Sequence, residues 1–328
     1  MTPQDSHHDG YRHILVATDF SPHAAAAIQQ AVWLARRCGA KITLAHTLPD
    51  LRRVVQSASY QAKVDLLYAD GSVFQREVRQ ASDARMRQMI ADLHADDLDV
   101  TYETLLGAAY AQITHAVQKE GYDLVLAGTR GLGTWEQFFI GSTATRLIQN
   151  CPSSVWIVKA EHAEPPRSVL AATDFSEVSR RAVLEGLAIA QQASAEFHLL
   201  HIIDGSDVPD DMLLRTPEGH SLRHEINEAA KHRFDEFVAS LNTDSANVRQ
   251  HFSVGTPWKE VSRLAKHLSV DLIAIGTVGR SGITGALLGS TAERVLNSCD
   301  CSVLTVKPAD FVSPLLPAFG SLHPDKSE

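Results

Sequence analysis

Long apolar runs are missing from this chain of 328 residues, and so is any excess of positive charge. No run reaches the roughly 20 apolar residues that a membrane-spanning helix needs. The 30 Lys and Arg residues are outnumbered by 39 Asp and Glu residues, so we expect no nucleic-acid binding through a basic surface. The first residues also lack the apolar core of a secretory signal, and we therefore expect a cytoplasmic protein with no membrane contact.

Sequence signatures of familiar catalytic and metal sites are also absent. The four cysteines form no spaced CxxC pairs, which argues against a zinc ribbon. We expect Cys299 and Cys301, which lie between a helix end and an apolar strand, to be small buried residues. There is no Walker A, GxSxG or HExxH sequence. No residue is therefore predicted to be catalytic, and no metal ligand is predicted.

One glycine pattern is present twice. Gly-x2-Gly-x9-Gly-Ser-Thr occurs at 128–143 and again at 276–291. Each copy follows a short apolar run and precedes a helical stretch. Glycines let a backbone approach a phosphate closely, and the amides that open a helix bind anions. The repeat therefore predicts that a phosphate-binding type of domain has been duplicated.

Other segments repeat in the same order. The segment 14–21, which ends in Ala-Thr-Asp-Phe-Ser, recurs at 169–176 with an offset of 155 residues (169 − 14). From Gly107 and Gly255 onwards the offset is 148 residues (255 − 107). The first half therefore carries extra residues upstream of Gly107, where a surface loop accommodates them.

Apolar runs alternate with helical periodicity through each half of the chain. In the first half we predict strands at 14–17, 41–46, 100–106, 124–127 and 155–158, and helices at 24–38, 74–93, 109–120 and 143–150. The second half follows the same order. The alternation predicts an α/β fold of two tandem doubly wound parallel-sheet domains. Their predicted bounds are 11–160 and 168–309, with a linker at 161–167 and a tail at 310–328.

Several polar or glycine residues follow the ends of predicted strands. Ligands of doubly wound sheets bind beyond the carboxyl ends of the strands, so we expect Asp19, the residue after His46 and the Gly128 loop to converge on one crevice. Asp19 and its repeat Asp174 are also typical of Asx turns. The two histidines that end the second strand of each half, at 46 and 201, are predicted to be hydrogen-bonded core residues.

Together, the Ala-Thr-Asp-Phe-Ser segment, the strand-end histidine and the glycine pattern resemble the universal stress protein family. The resemblance covers both halves, from about 11 to about 309, and the second half is similar to the E-type tandem members. It implies a stress-response regulator that binds ATP or AMP in one or both halves, with Mg²⁺ as an expected companion of the nucleotide.

The resemblance also implies a role for each matching position. The Ala-Thr-Asp segments would lie beside the ribose and adenine, the residue after each histidine would offer its backbone to the adenine edge, and the glycine loops would hold the phosphates. The residues implied are Ala17, Thr18, Asp19, Thr47, Gly128, Arg130, Gly131, Gly141, Ser142 and Thr143, then Ala172, Thr173, Asp174, Ile202, Gly276, Gly279, Gly289, Ser290 and Thr291.

The two predicted sites differ in charge. The position before the second glycine, often His in the family, is Arg130 in the first copy and Val278 in the second. An arginine can reach a phosphate and a valine cannot. In the second copy Ser290 and Glu293 have the spacing of a capping box, and the Glu293 carboxylate would repel a phosphate. We therefore expect the first site to be the stronger one.

Three alternatives remain open. The protein could hydrolyse ATP slowly or phosphorylate itself, with Ser142 or Ser290 as acceptor. It could instead be a scaffold or carrier whose crevice binds a lipid-like ligand. The third alternative concerns a metal: the residues at 220, 224, 228 and 232 place three histidines and a glutamate on one helix face. That face is more typical of a solvated surface than of a metal site.

The assembly is partly predicted. The final strands of the two halves, at 155–158 and 303–306, would pair within one chain as an internal pseudo-dimer, which would cover two apolar sheet edges. Association of two whole chains as a homodimer is a further option, and the sequence does not identify protein partners.

Overall fold

The chain forms two compact units in the computed structural model, which describes residues 10–49, 71–129, 140–205, 216–241, 248–279 and 288–315. The first unit is built mainly from residues up to Ala163 and the second from Glu164–Phe311. The exact domain and linker bounds predicted above stay predictions.

Strands and helices alternate through the first unit. Its elements are β1 (His13–Thr18), α1 (Pro22–Cys38), β2 (Lys41–Leu48), α2 (Gly71–Asp92), β3 (Val100–Leu106), α3 (Ala109–Glu120), β4 (Leu124–Gly128), α4 (Ser142–Asn150) and β5 (Ser154–Val158). The strands lie in the order β3-β2-β1-β4-β5 and all pairs are parallel. The predicted elements differ from these mainly by a few residues at their ends.

The second unit repeats this topology. A 3₁₀ turn (Ala160–His162) precedes its elements, which are β6 (Ser168–Thr173), α5 (Glu177–Ala193), β7 (Glu196–Asp204), α6 (Pro217–Ala239), β8 (Val248–Gly255), α7 (Pro257–His267), β9 (Leu272–Gly276), α8 (Ser290–Ser298) and β10 (Ser302–Val306). The strand order is β10-β9-β6-β7-β8, again with parallel pairs.

The central strands of both sheets are buried on both faces. Consecutive residues of β1 and of β4 are inaccessible to solvent, as are those of β6 and β9. Strands that expose neither face are expected where helices cover both sides of a parallel sheet. The predicted fold, two doubly wound α/β domains in tandem, is confirmed.

The first helix begins and ends where its sequence predicts. The hydroxyl oxygen of Ser21 accepts a hydrogen bond from the Ala24 amide, and Pro22 follows as the first helical residue. Gly39 ends the helix with a φ of +71°, in the left-handed region that glycine enters at low cost. Local chemistry thus fixes the direction in which the chain leaves β1, directly after Asp19.

The cysteines behave as small apolar residues. Cys299 and Cys301 are buried as predicted, Cys151 is buried too, and Cys38 is partly exposed. In each unit the last strand, β5 or β10, lies at one end of that unit's own strand order. The predicted pairing of these two strands, like a homodimer, stays a prediction.

Candidate functional site

A cavity of about 270 Å³ lies at the carboxyl ends of β1, β2 and β4 in the first unit. Every first-unit site residue predicted above that the structure describes lines it: Ala17, Thr18, Asp19, Thr47, Gly128, Gly141, Ser142 and Thr143. The other two, Arg130 and Gly131, lie outside the described residues. The structure therefore brings together side chains from three strand ends and one helix start.

The Asp19 carboxylate is held in a tight turn. One of its oxygens accepts a hydrogen bond of 3.0 Å from the Ser21 amide, which confirms the predicted Asx turn. The Thr18 hydroxyl accepts a bond of 3.1 Å from the amide of Phe20. Phe20 has a φ of +64°, a conformation that is uncommon for a residue with a β-carbon. These bonds fix where the carboxylate meets the cavity.

His46 is hydrogen-bonded, as predicted, and also lines the cavity. Its Nδ1 lies 2.7 Å from the carbonyl oxygen of Thr18. A carbonyl oxygen only accepts hydrogen bonds, so Nδ1 carries a proton. The position of His46 in the cavity wall was not predicted. The signal that could have located it is its place at a strand end, next to Thr47.

The glycine at the end of β4 allows two backbones to meet. A β-carbon on Gly128 would lie 2.7 Å from both the carbonyl carbon and the carbonyl oxygen of His23, in the first turn of α1. Such distances are far inside van der Waals contact. Gly128 thus has a packing role that is independent of any ligand, and it forms part of the cavity surface as well.

The start of α4 presents backbone amides without a side-chain cap. Gly141 is the N-cap residue, no side chain caps the helix there, and its own amide donates to the Thr129 carbonyl at 2.7 Å. Ser142, Thr143 and Ala144, the first helical residues, line the cavity. The first amides of a helix lack intrahelical acceptors and favour an anion.

One wall of the cavity is apolar. Ala109 and Ile113 contribute it from α3, and Ala24 adds a methyl group from α1. This wall was not predicted, because alanine and isoleucine carry no chemistry that a motif reveals. An apolar wall facing a few convergent polar groups is typical of a small-molecule site.

The corresponding carboxylate of the second unit is also held in a turn. Asp174 accepts bonds from the amide and the hydroxyl of Ser176, at 3.0 and 2.6 Å. A β-carbon on Gly279 would lie 2.7 Å from the other Asp174 carboxylate oxygen. The glycine segment after β9 therefore lies directly against this carboxylate. Of the remaining predicted residues, Ala172 and Thr173 are in β6, Ile202 in β7, Gly276 ends β9, and Gly289, Ser290 and Thr291 open α8.

The predicted capping box of the second unit is wrong. Gly289, not Ser290, is the N-cap residue of α8, and no side chain caps this helix. The Gly289 amide donates to the Thr277 carbonyl at 2.6 Å, and its carbonyl accepts from the Glu293 amide at 3.0 Å. These bonds start the helix one residue earlier, which makes Ser290 helical and moves its hydroxyl out of capping position. The Glu293 carboxylate nevertheless lies in the first turn of the helix.

A second carboxylate distinguishes the second unit. Glu260 in α7 accepts bonds from Arg263 and from the Ser253 hydroxyl, and these partners hold its pKa below the usual value. The matching residue of the first unit, at the offset of 148, is the neutral Gln112. The second unit thus has Glu260 and Glu293 at two described positions where the first unit has the neutral Gln112 and Thr145.

The histidine-rich face of α6 does not gather metal ligands. His220, His224 and His232 are exposed, and His232 lies 3.3 Å from Glu236 on the same helix. Within the described ranges, no group of three or more His, Cys, Asp or Glu residues could hold a metal ion. The same ranges contain no helix with the length and hydropathy needed to cross a membrane.

Fold and site together define a class of protein: two repeated doubly wound α/β units, with a cavity at the strand ends that joins a carboxylate turn to a glycine-led helix start. The model of the universal stress protein family matches residues 10–159 and again 166–307. The chain belongs to this family, as a tandem member with two copies of the domain.

Curated relatives match over nearly the whole chain. Universal stress protein E of Photorhabdus laumondii is 24% identical over 321 residues, which is 93% of this chain and 98% of that protein. Universal stress protein E of Escherichia coli K12 is 25% identical over 320 residues, or 93% and 96% of the two chains. The chain is thus similar to E-type tandem members, as the second half predicted.

Solved structures agree on the fold. A universal stress protein from Pseudomonas aeruginosa superimposes with a TM-score of 0.61 at 20% identity, covering 92% of this chain and 95% of that one. One from Archaeoglobus fulgidus gives 0.55 at 19% identity, with coverage of 90% and 98%. At these identities the likeness shows the fold alone.

Proposed function

We propose that this protein binds an adenine nucleotide, ATP or AMP, in the cavity of its first unit and acts as a nucleotide-dependent regulator in a stress response. One observation carries the proposal. The residues implied by the family resemblance, as far as they are described in the first unit, all line one cavity of about 270 Å³. That these residues converge from three strand ends and a helix start supports a site of the kind that the resemblance implies.

The proposed pose follows from the chemistry of the lining. Phosphate oxygens would accept bonds from the amides that open α4, next to Ser142 and Thr143. The Asp19 carboxylate would accept bonds from ribose hydroxyls. The flat apolar base would lie against Ala109 and Ile113, with its polar edge near the Thr47 backbone. Mg²⁺ stays a prediction: this ion is often held by one or two carboxylates plus substrate phosphates, and Asp19 is the carboxylate present.

The first unit is the better site on electrostatic grounds. In the second unit Glu293 lies in the first turn of α8, where the first unit has Thr145. Its carboxylate would oppose a phosphate at that helix start. Arg130, where the second unit has Val278, further favours the first unit.

A charge substitution at the helix start tests the site. We would titrate ATP and AMP into the full chain by calorimetry, and compare Ser142→Asp with the matched variant Ser290→Asp. An aspartate in the first turn suits a helix dipole, so neither variant should lower stability. At the first site the new carboxylate would face the phosphates and weaken binding at least tenfold, about 1.4 kcal/mol.

The outcomes separate the alternatives. Loss of binding in Ser142→Asp with wild-type binding in Ser290→Asp supports the proposal, and the reverse result would move the site to the second unit. A wild-type protein that binds neither nucleotide and carries a lipid-like molecule by mass spectrometry would refute it in favour of a carrier. Release of phosphate, or a phosphorylated Ser142, would instead support slow ATP hydrolysis or self-phosphorylation. The cytoplasmic location stays a prediction.

A further inference from the structure

A stack of three side chains stands beside the carboxylate turn of the first unit. The guanidinium carbon of Arg85, in α2, lies 4.2 Å from the centroid of the Phe20 ring. That centroid lies 4.4 Å from the centroid of the His46 ring. We call Arg85, Phe20 and His46 the first stack. It joins the long helix α2 to residues at the ends of β1 and β2.

The second unit contains the same stack at the repeated positions. Arg233, in α6, lies 5.1 Å from the Phe175 ring, whose centroid lies 4.1 Å from that of His201. The sequence offset is 155 for the two ring residues and 148 for the arginine, as elsewhere in the repeat. These three residues are the second stack. The same three-residue arrangement is therefore present in both units, although its residues are far apart in the sequence.

Both stacks hold a backbone that is unfavourable by itself. Phe20 and Phe175 have φ values of +64° and +65°, where the β-carbon crowds the following carbonyl group. A residue with such a backbone persists only when its surroundings fix it, and such residues cluster at ligand sites. The Phe20 amide is bonded to the Thr18 hydroxyl, and the ring is held by the cation above it and the histidine beside it.

The first stack is connected to the cavity through the turn at 18–21. His46 donates to the Thr18 carbonyl, Thr18 accepts from the Phe20 amide, and Asp19 accepts from the Ser21 amide. Thr18, Asp19 and His46 line the cavity, whereas Phe20 and Arg85 are not among the described residues that do. Besides the through-space attraction between its charge and an anionic ligand, Arg85 can therefore act on a ligand through this turn.

The helix that carries Arg85 is anchored independently of the stack. The Thr104 hydroxyl donates to the Asp83 carboxylate at 2.6 Å, and Arg87 donates to the Tyr102 hydroxyl at 3.0 Å. Both bonds attach α2 to β3. Removing the exposed Arg85 side chain thus leaves α2 attached to the sheet while it frees one face of the Phe20 ring.

We propose that Arg85 and Phe20 are positioning residues for the first cavity: they hold the turn at 18–21 in the form that binds a ligand. The inference rests on the proposed function and deepens it. A turn that spends part of its time in another form binds more weakly in proportion to the population lost. The affinity of the first cavity then depends on a residue of α2 that does not touch the ligand.

The second stack provides an internal control. The Phe175 ring is also close to Phe237 and Phe234, at centroid distances of 5.6 and 6.4 Å. The matching positions of the first unit, at the offset of 148, are Met89 and Met86. Phe175 therefore keeps aromatic neighbours when Arg233 is removed, and Phe20 relies more on Arg85.

The experiment compares Arg85→Ala with Arg85→Lys, which keeps the cation, and with Arg87→Ala and Arg233→Ala. Two quantities are measured on the full chain: the dissociation constant for ATP by calorimetry, and hydrogen exchange at the amides of Phe20 and Ser21 without nucleotide. We expect Arg85→Ala to speed exchange by roughly two- to fivefold, the value of an exposed cation–π contact. ATP binding should weaken by up to the same factor, in proportion to the population of the binding form that is lost. Arg85→Lys should restore most of both, and the other two variants should leave ATP binding unchanged.

The results separate a positioning role of Arg85 from a general effect on α2 stability and from a failure of the proposed function. If Arg87→Ala weakens ATP binding as much as Arg85→Ala, the effect is one of general α2 stability and the positioning role is overturned. It is also overturned if exchange accelerates while affinity stays at the wild-type value, or if neither changes. If the wild type binds no nucleotide, the proposed function fails by itself, and faster exchange in Arg85→Ala still supports the role of the stack in holding the turn.

Discussion

Replacing Gly128 by alanine should destabilise the first unit much more than the equivalent change destabilises the second. The added methyl group would lie 2.7 Å from the carbonyl carbon and oxygen of His23 and 2.8 Å from its β-carbon. Two of these three atoms belong to the backbone of α1, so no side-chain rotation relieves the contact. The strand end and the helix start must move apart, which disturbs the buried contacts between β4 and α1.

The matched change is Gly276→Ala. There the new methyl group would meet the Val178 Cγ1 at 3.0 Å, and the nearest backbone atoms at 3.4 Å. A valine side chain can shift by a few tenths of an ångström, and alanine also reduces the freedom of the unfolded chain by about 0.4–1 kcal/mol. We therefore expect a net change close to zero for this variant.

The expected size follows from overpacking, which costs about 1–3 kcal/mol in a well-packed core. We expect Gly128→Ala to reach the upper part of that range, about 2–3 kcal/mol, and to lower the melting temperature of the first unit by roughly 4–12 °C. Scanning calorimetry gives the shift, and hydrogen exchange of β1 and β6 peptides assigns it to a unit. Equal shifts for the two variants, or none for Gly128→Ala, would show that α1 yields freely and would refute the reasoning.

Two further predictions concern pH. Nδ1 of His198 lies 2.9 Å from Nε2 of His251, and burial lowers the pKa of both rings below 6.5. The unfolded chain therefore binds protons at a higher pH than the folded chain does, so the second unit should lose stability as the pH falls below 6.5. A His198→Thr variant should lose less stability over the same pH range, as measured by urea unfolding. Arg263 lowers the pKa of the Glu260 carboxylate from 4.5. This carboxylate should therefore stabilise the fold above pH 4.5, and progressively less as the pH falls through its folded pKa. Glu260→Gln should melt at a lower temperature than wild type at pH 7 and at the same temperature in strong acid.

Local chemistry made much of the fold predictable. The two ends of α1 are set by local interactions of Ser21, Pro22 and Gly39, and the turn at Asp19 follows from its own sequence. The alternation of apolar runs predicted the strands because parallel strands buried on both faces have little freedom in composition. Most of the cavity was predictable because the carboxyl ends of parallel strands lie at one edge of the sheet, where ligands of such folds bind.

Contacts between distant segments limited the rest. The sequence predicts Ser290 as the cap of α8, because a serine followed three residues later by a glutamate suits a capping box. The N-cap is instead Gly289, whose amide is bonded to the Thr277 carbonyl. No sequence pattern shows that Arg85 reaches Phe20, since their partnership depends on how α2 lies on β3. The apolar wall from α3 was missed because Ala109 is ordinary in any helix.

The close approach of α1 to Gly128 restricts how such a cavity can diversify among related chains. Gly128 cannot be replaced by a residue with a side chain unless α1 moves away. The part of the cavity surface that Gly128 forms therefore has a fixed shape. The wall from α3 has no such restriction: Ala109 faces the cavity in the first unit, and the repeat carries Pro257 at the matching position. Selection for a larger, smaller or differently shaped ligand would therefore act on the first turn of α3, and the two halves of one chain already differ there.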